Sequence, residues 1–544
     1  MSAESSSATQ HEIEGAGGSK GIASRLGFWL GLAAFVGILL WGNLDPDRPA
    51  VTRMGAVAAL MAIWWITDAI PLAATALVPL VAFPILGIMS GKETAPVYIN
   101  DTIFLFVGGF MIALAMERWQ LHRRIALRII QLIGSSPARL VLSFMVASAF
   151  LSMWISNTAT AIMMLAIGMA IIAEEEARFG KERTHKLTIA LLLGIAYGCS
   201  VGGMATLVGT PPNLSFVRLF AIAFPNSPPE ARISFAQWML LGVPIMLVML
   251  VIIWALLTQV FFRSPADLRL SSDVIRDEYR ALGSIRFCEV AVLIVFAATA
   301  ALWVFRSDLN LGGFTLPGWS RLLPATAFDA DGRTLLDDGT VAMAMALLLF
   351  LIPSRSSDSQ APSRILDIDV FRRIPWHIVL LFGGGFALAN GFKASGLSDF
   401  IGGQFSSLAG APPIVVVASI CGVLTFMTEL TSNTATTEMA MPILASVAVA
   451  MKTHPYLLMI PATLSASCAF MMPVATPPNA IVFGSGRLKI LDMVKIGFLI
   501  NLIGILVITV LFYTVGFWAF HIDPSEVPDW AVKETSTNAP ALVP

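Results

Sequence analysis

Long apolar runs, broken by short polar strings, make up most of this chain. Windows near the length that crosses a bilayer as helix, roughly 18–25 residues, recur along it. In the first half they fall at 25–42, 54–67, 71–88 and from 102 to a basic cluster, Arg118, Arg123, Arg124 and Arg128. Residues 138–173 are apolar with Ser156-Asn157-Thr158 in their middle. Three adjacent small polar side chains compete with the backbone for hydrogen bonds and hold a helix poorly. The pattern therefore predicts a re-entrant hairpin over 138–173 with its tip at Ser156. A charged loop, Glu174 to Lys186, precedes a span from Leu187 to about Thr206. That span meets Gly209-Thr210-Pro211-Pro212-Asn213, and two prolines in series break the helix there. A span from Trp238 to Phe262 closes the half.

The second half repeats the plan. After a basic linker (Arg263, Arg269, Arg276, Arg280, Arg286) come spans at 287–305 and 340–353, separated by an acidic loop with Asp329, Asp331, Asp337 and Asp338. A second hairpin is predicted over 411–451, a second broken helix over 456–486 and a last span over 496–520. Ser156-Asn157-Thr158-Ala159-Thr160 recurs letter for letter as Ser432-Asn433-Thr434-Ala435-Thr436, 276 positions later. The glycine-rich stretch 105–110 recurs at 381–386 with the same offset. Thr210-Pro211-Pro212-Asn213 recurs as Thr476-Pro477-Pro478-Asn479 at an offset of 266, so the first half carries ten extra residues, assigned to the loop at 174–186.

The fold class predicted is an all-α integral membrane protein, with about 11 transmembrane helices plus two re-entrant hairpins. Five crossings separate the two tips. That number is odd, so the repeats have inverted topology, as in many secondary transporters. The expected organisation is a disordered tail (1–24), a first half (25–262), a cytoplasmic linker (263–286), a second repeat (287–520) and an outer C-terminal tail (521–544). Most of the 34 Lys and Arg fall on one side if the N-terminus is cytoplasmic, so the positive-inside rule places it there. The first hairpin then enters from the cytoplasm and the second from outside.

Composition agrees. Hydrophobic residues make up 56% of the 544 residues and charged ones 13%, with a net charge of -1 that gives nucleic acid no purchase. Cys199, Cys288, Cys421 and Cys468 lie in apolar runs without metal spacing and read as packing residues. His122, His377 and His454 lie near span ends and read as interfacial, not as proton switches.

The chemistry lies in the four repeated strings. An anion at membrane depth needs donors or counter-charge, and none of the strings contains a basic residue. They contain hydroxyls, amides and interrupted helices, whose free N–H groups carry a partial positive charge. These suit a carboxylate held loosely enough to leave. Carbonyl and side-chain oxygens at the breaks suit a small hard cation. A sodium ion beside a dianion would supply the charge that the protein lacks.

The paired strings, with Trp64-Trp65-Ile66-Thr67-Asp68-Ala69-Ile70-Pro71-Leu72-Ala73-Ala74-Thr75, resemble the divalent anion/sodium symporter family over about 25–520. That resemblance implies sodium-coupled uptake of di- or tricarboxylates, or in some members sulfate. It also implies a homodimer and an elevator-like movement. Carried over, one sodium site uses Ser152, Ser156, Asn157 and the Gly209 carbonyl. A second uses Thr428, the Thr431 carbonyl, Asn433 and the Ala475 carbonyl. Substrate meets Ser156, Asn157 and Thr158 on one side and Ser432, Asn433 and Thr434 on the other. Thr210, Pro211, Thr476 and Pro477 close the pocket.

The expectation is a sodium-coupled importer of C4-dicarboxylates such as succinate, malate or fumarate in the cytoplasmic membrane. The alternatives are a carboxylate exchanger without net sodium coupling and a sulfate carrier. An enzyme is not expected, since no nucleophile–base pair or metal cluster falls at membrane depth; a channel is disfavoured because two hairpins block a continuous path. Glu429 and Glu438 have no acidic counterparts at Met153 and Ile162. Pairing across an interface and tuning of cation affinity are both open for them. Glu117 and Lys393 share register and read as interfacial charges.

Overall fold

The computed structural model describes residues 21–134, 136–228, 231–263, 273–310, 314–328, 334–355, 363–405, 410–523 and 527–532. Most of both expected tails, Arg269, Asp329 and Asp331 lie outside the described residues. The regular structure among the described residues is helical apart from a two-stranded pair, Leu309–Asn310 with Thr315–Leu316, and two isolated bridges.

In the first half, α1 (Ile22–Trp41) and α2 (Pro49–Thr67) pair, followed by a short turn Leu72–Thr75 and α3 (Val78–Leu86). Then come α4 (Asp101–Arg118), α5 (Leu121–Ile133), α6 (Pro137–Ser152), α7 (Asn157–Phe179), α8 (Lys181–Gly203), α9 (Pro211–Ala223) and α10 (Phe235–Ala255). The linker carries α11 (Asp273–Ala281). The second half has α12 (Phe287–Val304), α13 (Asp338–Leu351), α14 (Trp376–Ser395), α15 (Leu397–Gln404), α16 (Pro413–Thr428), α17 (Asn433–Ala450), α18 (Pro455–Ser465), α19 (Pro477–Gly484) and α20 (Ile490–Leu511). Both predicted hairpins are helix–turn–helix pairs, α6–α7 and α16–α17, with Ser156 and Ser432 as N-caps of the second arms. Both predicted breaks are present, between α8 and α9 and between α18 and α19. The last helix of each repeat ends in a π-helical turn, Leu256–Phe261 and Phe512–Gly516.

Among the described residues, nine helices are long and apolar enough to cross a membrane. Three expected crossings are shorter, at 72–86, Asp338–Leu351 and Pro455–Ser465. Several boundaries differ from the sequence reading. The stretch 174–186 is not a loop: α7 and α8 run into each other through Gly180, which takes a positive φ of 81°. Its charges lie on the adjoining ends of these two helices, which the ten extra residues lengthen. The span at 71–88 divides because Pro71 and the turn at Leu77 interrupt it. The basic cluster beyond Arg118 forms its own amphipathic helix, α5, which buries Leu121, Ala126, Leu127 and Ile130 and leaves Arg128 exposed.

The tryptophan-rich motif shapes a corner. Asp68 ends α2 in the left-handed region (φ 46°), Trp65 Nε1 donates to Leu72 O at 3.1 Å, and Trp64 stacks on Phe28. His122 and His454 are buried within the protein, and burial pulls both down to about 4. They stay neutral near pH 7, whereas His377 is exposed at the start of α14. All four cysteines are buried and free.

Helices come close where side chains are small. Gly194, Gly198 and Gly202 recur every fourth residue of α8, and a Cβ at Gly198 would lie 2.9 Å from Met145 O of α6. In a membrane such small-residue stripes let backbones approach where no hydrophobic force drives helices together. The apolar interior has two main parts and a small third one at Leu60, Trp64 and Ala69. One large core spans most helices of both halves; a smaller one joins α2, α3, α14 and α15 with Ala435 and Met439 of α17.

The linker is tied down by charge. Arg124 of α5 donates to Glu289 of α12 at 2.5 Å and to the Leu282 and Gly283 carbonyls, while Arg123 pairs with Glu278 of α11. Both Arg124 and Glu289 are buried. Breaking a buried pair from one side typically costs about 3–5 kcal/mol, whereas replacing both partners costs far less. Glu289→Ala should therefore lower the unfolding temperature in detergent sharply, and Arg124→Met added to it should recover most of the loss; equal loss in both proteins would contradict this.

Candidate functional site

The site is assembled from the four places where helices start or stop inside the protein. Asn157, Pro211, Asn433 and Pro477 each occupy the first position of a helix. Proline is suited to that position because its missing N–H needs no partner there. The helices then cross between repeats. The arm leaving the first tip, α7, packs on α19 of the second break, and α17 from the second tip packs on α9 of the first. The two halves thus share one site region.

At the first tip, Ser152 Oγ donates to Asn157 Oδ1 at 2.5 Å. A Cβ at Gly203 would lie 2.8 Å from that Asn157 oxygen and 3.1 Å from Gly209 O. The Ser152 hydroxyl, Asn157 amide oxygen and Gly209 carbonyl therefore meet in one place, kept open by the missing side chain of Gly203. The second tip repeats this. Thr428 Oγ1 lies 2.6 Å from Asn433 Oδ1 and donates to Ala466 O at 2.8 Å. Each cluster is made of neutral oxygens, the donor set of a hard monovalent cation. The Ala466 carbonyl, which the sequence did not single out, joins this cluster through Thr428. The Ala475 N–H donates to Met472 O within the second break. The Thr431 hydroxyl is engaged with Thr436 Oγ1 at 2.6 Å.

The tip side chains Ser156, Asn157, Thr158, Ser432 and Asn433 are half-buried, while Thr434, Thr210 and Thr476 are buried around them. Ser156 Oγ accepts from Ala159 N and Thr476 Oγ1 from Asn479 N, so both hydroxyls cap their own helices. Pro211 is half-buried and Pro477 exposed. Every hydrogen bond described at the four strings is made by hydroxyls, amides or backbone groups. Asn213 and Asn479 serve the breaks: Asn213 Nδ2 donates to Gly203 O and Thr206 O, and Asn479 Nδ2 to Ala469 O and Met472 O.

The two breaks differ in how their backbone is held. In the first, Thr206 Oγ1 donates to Met153 O at 2.5 Å and accepts from Gly209 N, and Trp238 Nε1 donates to Met204 O. In the second, the Glu429 carboxylate accepts from Phe470 N, Met471 N and Met472 N at 2.7–2.9 Å, and from Asn501 Nδ2 at 2.8 Å. Glu429 is thus a clamp on unwound backbone, a role beside the two readings that the sequence left open. Asn501, a lone amide inside an apolar span, was the readable signal for it. Glu438 lies elsewhere, between α9, α14 and α17, with Ser215 Oγ donating to it at 2.5 Å. Glu117 pairs with Arg373.

A family model described as the sodium:sulfate symporter transmembrane region matches residues 26–522. The chain belongs to that family. It is 42% identical over 500 residues to the sodium-dependent dicarboxylate transporter SdcS of Staphylococcus saprophyticus, covering 91% of this chain and 92% of the relative. SdcS of Staphylococcus aureus strain NCTC 8325 is 42% identical over 467 residues, 85% of each chain. In fold, the protein is similar to the Alcanivorax borkumensis YdaH transporter (TM-score 0.53, 13% identity, covering 80% of this chain and 88% of that one). It is also similar to Neisseria gonorrhoeae MtrF (TM-score 0.54, 11% identity, 88% and 97%). At such identities the likeness concerns fold alone. The protein is accordingly a multi-span membrane transporter and not an enzyme.

The clamp can be tested directly. Glu429→Gln puts a donor among three backbone donors, and an unmet buried group costs about 1–3 kcal/mol. The variant should unfold several degrees earlier in detergent and Asn501→Leu, which removes one of four donors, should lose less. Unchanged unfolding in Glu429→Gln would remove the clamp.

Proposed function

We propose that this protein is a sodium-coupled symporter that imports C4-dicarboxylates across the cytoplasmic membrane. The observation that carries the proposal is the doubled oxygen cluster: Ser152, Asn157 and Gly209 at one tip, Thr428 and Asn433 at the other. One sodium ion is assigned to each. Sodium here is cargo as well as counter-charge. The dicarboxylate lies between the tips, one carboxylate toward Ser156, Asn157 and Thr158, the other toward Ser432, Asn433 and Thr434. Thr210, Pro211, Thr476 and Pro477 bound the pocket. Support for the substrate class comes from the dicarboxylate transporters named above, which match nearly the full chain.

The coupling order follows from charge. A dianion entering a site of neutral donors is poorly compensated until the cations are in place. Sodium binds first, the dianion second, and neither crosses efficiently alone. Two sodium ions with one dianion carry no net charge. A third would make uptake respond to membrane potential, at about 2.3 kcal/mol per charge per 100 mV. The reading includes a homodimer, about eleven crossings with the N-terminus inside, and elevator-like movement of the tips relative to the rest.

The test is uptake of labelled succinate into proteoliposomes. An inward sodium gradient should raise initial uptake at least tenfold over a sodium-free control; equal uptake would make the protein an exchanger. Excess unlabelled succinate should abolish the signal and excess sulfate should not. The reverse result would favour the sulfate that the family description names. Asn157→Ala and Asn433→Ala should each remove sodium-driven uptake while the protein still inserts. Wild-type rates in either would overturn the assignment of that tip.

A further inference from the structure

Glu438 is fully buried, and the proposed transport cycle makes no use of it. One carboxylate oxygen accepts from Ser215 Oγ; the other, Oε2, has no hydrogen-bond partner. It presses against Gly385 of α14, where a Cβ would overlap it. That leaves no room for a metal ion on this side. The charged and titratable groups on the helices packed around it are all engaged elsewhere or distant. Arg218 of α9 pairs with Asp101, Arg53 of α2 donates to Leu86 O, Asp399 of α15 pairs with Arg48, and the Tyr456 hydroxyl of α18 donates to Ala231 O. His377 and Lys393 of α14 are eight positions either side of Gly385, roughly 12 Å along a helix. A carboxylate so placed would be an uncompensated buried charge, and such groups take up a proton instead.

The repeat says what happens to Glu438 when the packing changes. Its counterpart at the 276-residue offset is Ile162, and the counterpart of Gly385 is Gly109. The two environments are opposite. Ile162 is 49% exposed, and Gly109 borders an apolar recess lined by Ile112, Trp154, Val208, Phe296 and Trp303. Likewise α17 and α9 pack on α14, while their counterparts α7 and α19 make no comparable packing on α4. The two repeats are therefore packed unequally against their equivalent helices α14 and α4. Inverted repeats reach the opposite-facing state by exchanging these two packings. In that state Ile162 enters the Gly109 recess and Glu438 takes the exposed place that Ile162 holds now.

We infer that Glu438 is a proton-binding site whose occupancy is tied to which face of the carrier is open. In the packing seen here its carboxyl is neutral against Gly385. In the exchanged packing it is exposed and releases the proton to water. The sign follows: the state seen here binds the proton more tightly, so falling pH favours it and rising pH favours the exchanged state. The first repeat has isoleucine at this position and no such dependence, so only one of the two end states is sensitive to pH. The inference depends on the carrier reading only in taking the repeats to exchange packings.

The test needs no transported substrate, so an error in the proposed substrate leaves it intact. Ile162→Cys in the full chain, in nanodiscs with sodium, is labelled with a charged, membrane-impermeant thiol reagent. Its rate is divided by that of Leu335→Cys, an exposed residue (63%) that cancels the pH dependence of thiol reactivity. The ratio should rise severalfold from pH 8 to pH 6, with about tenfold per pH unit as the upper limit for one proton. With Glu438→Gln added, the ratio should stay at its acid value throughout. Glu438→Ile, which copies the first repeat, should do the same and covers the case in which the Gln variant does not fold. A flat ratio with Glu438 present, a pH response that survives Glu438→Gln, or no labelling of the introduced cysteine at any pH would each overturn the inference.

Discussion

A helix interrupted inside an apolar protein leaves peptide groups without partners, and the architecture follows from how those groups are satisfied. Non-helical backbone at membrane depth is tolerated only where protein buries it or water reaches it. This chain does it twice, after Gly203 and after Ser465. Asn213 and Asn479 each bridge carbonyls across the unwound stretch with one amide group. Because these amides are supplied by the Thr-Pro-Pro-Asn strings, each break is held by the helix that resumes after it. The prolines stop the helix, the asparagine secures the ends, and the remaining free groups face the site.

The two repeats solve the same problem with different chemistry. The first uses neutral groups: the Thr206 hydroxyl bridges hairpin and break, and the Trp238 indole covers Met204 O. The second uses one charge, Glu429, spread over three backbone donors and Asn501. A carboxylate accepting several N–H bonds is well compensated without any counter-ion. Its negative charge also lies one residue beyond Thr428, in the proposed second sodium cluster. On this geometry the two cation sites feel different fields although their direct donors match. Unequal sodium affinities are the expected consequence.

Much of this was legible in the sequence because it is local. Ser-Asn-Thr cannot sustain a buried helix, and Pro-Pro cannot continue one, so both tips and both breaks fall where the residues place them. The constant offset between repeats also aligned Gly385 with Gly109 before any coordinates. What was not legible depends on partners distant in the chain. Glu429 finds its donors some forty residues on and at Asn501. Thr428 reaches the Ala466 carbonyl, in the last turn before the break and some forty residues away in the chain. The charged stretch 174–186 misled for another reason. Charge density marks exposure to water, and a helix that projects from the membrane satisfies it as well as a loop does.

The absence of a basic side chain from the tips has a consequence for rate as well as for coupling. A fixed arginine would hold a carboxylate by charge-assisted, bidentate bonds that persist in every state of the carrier. Release would then have to overcome a charge that never leaves. Partial charges at four helix starts are weaker and fall off within a turn, so the neutral site loses most of its attraction for the anion once the cations depart. In the proposed cycle, binding and release then differ by the presence of mobile ions and not by a rearrangement of the donors. This explains why the tips can be rigid. Ser152 bonds to Asn157 and Thr428 to Asn433, so in the proposed cycle the protein's own bonds gather the oxygens that a cation needs.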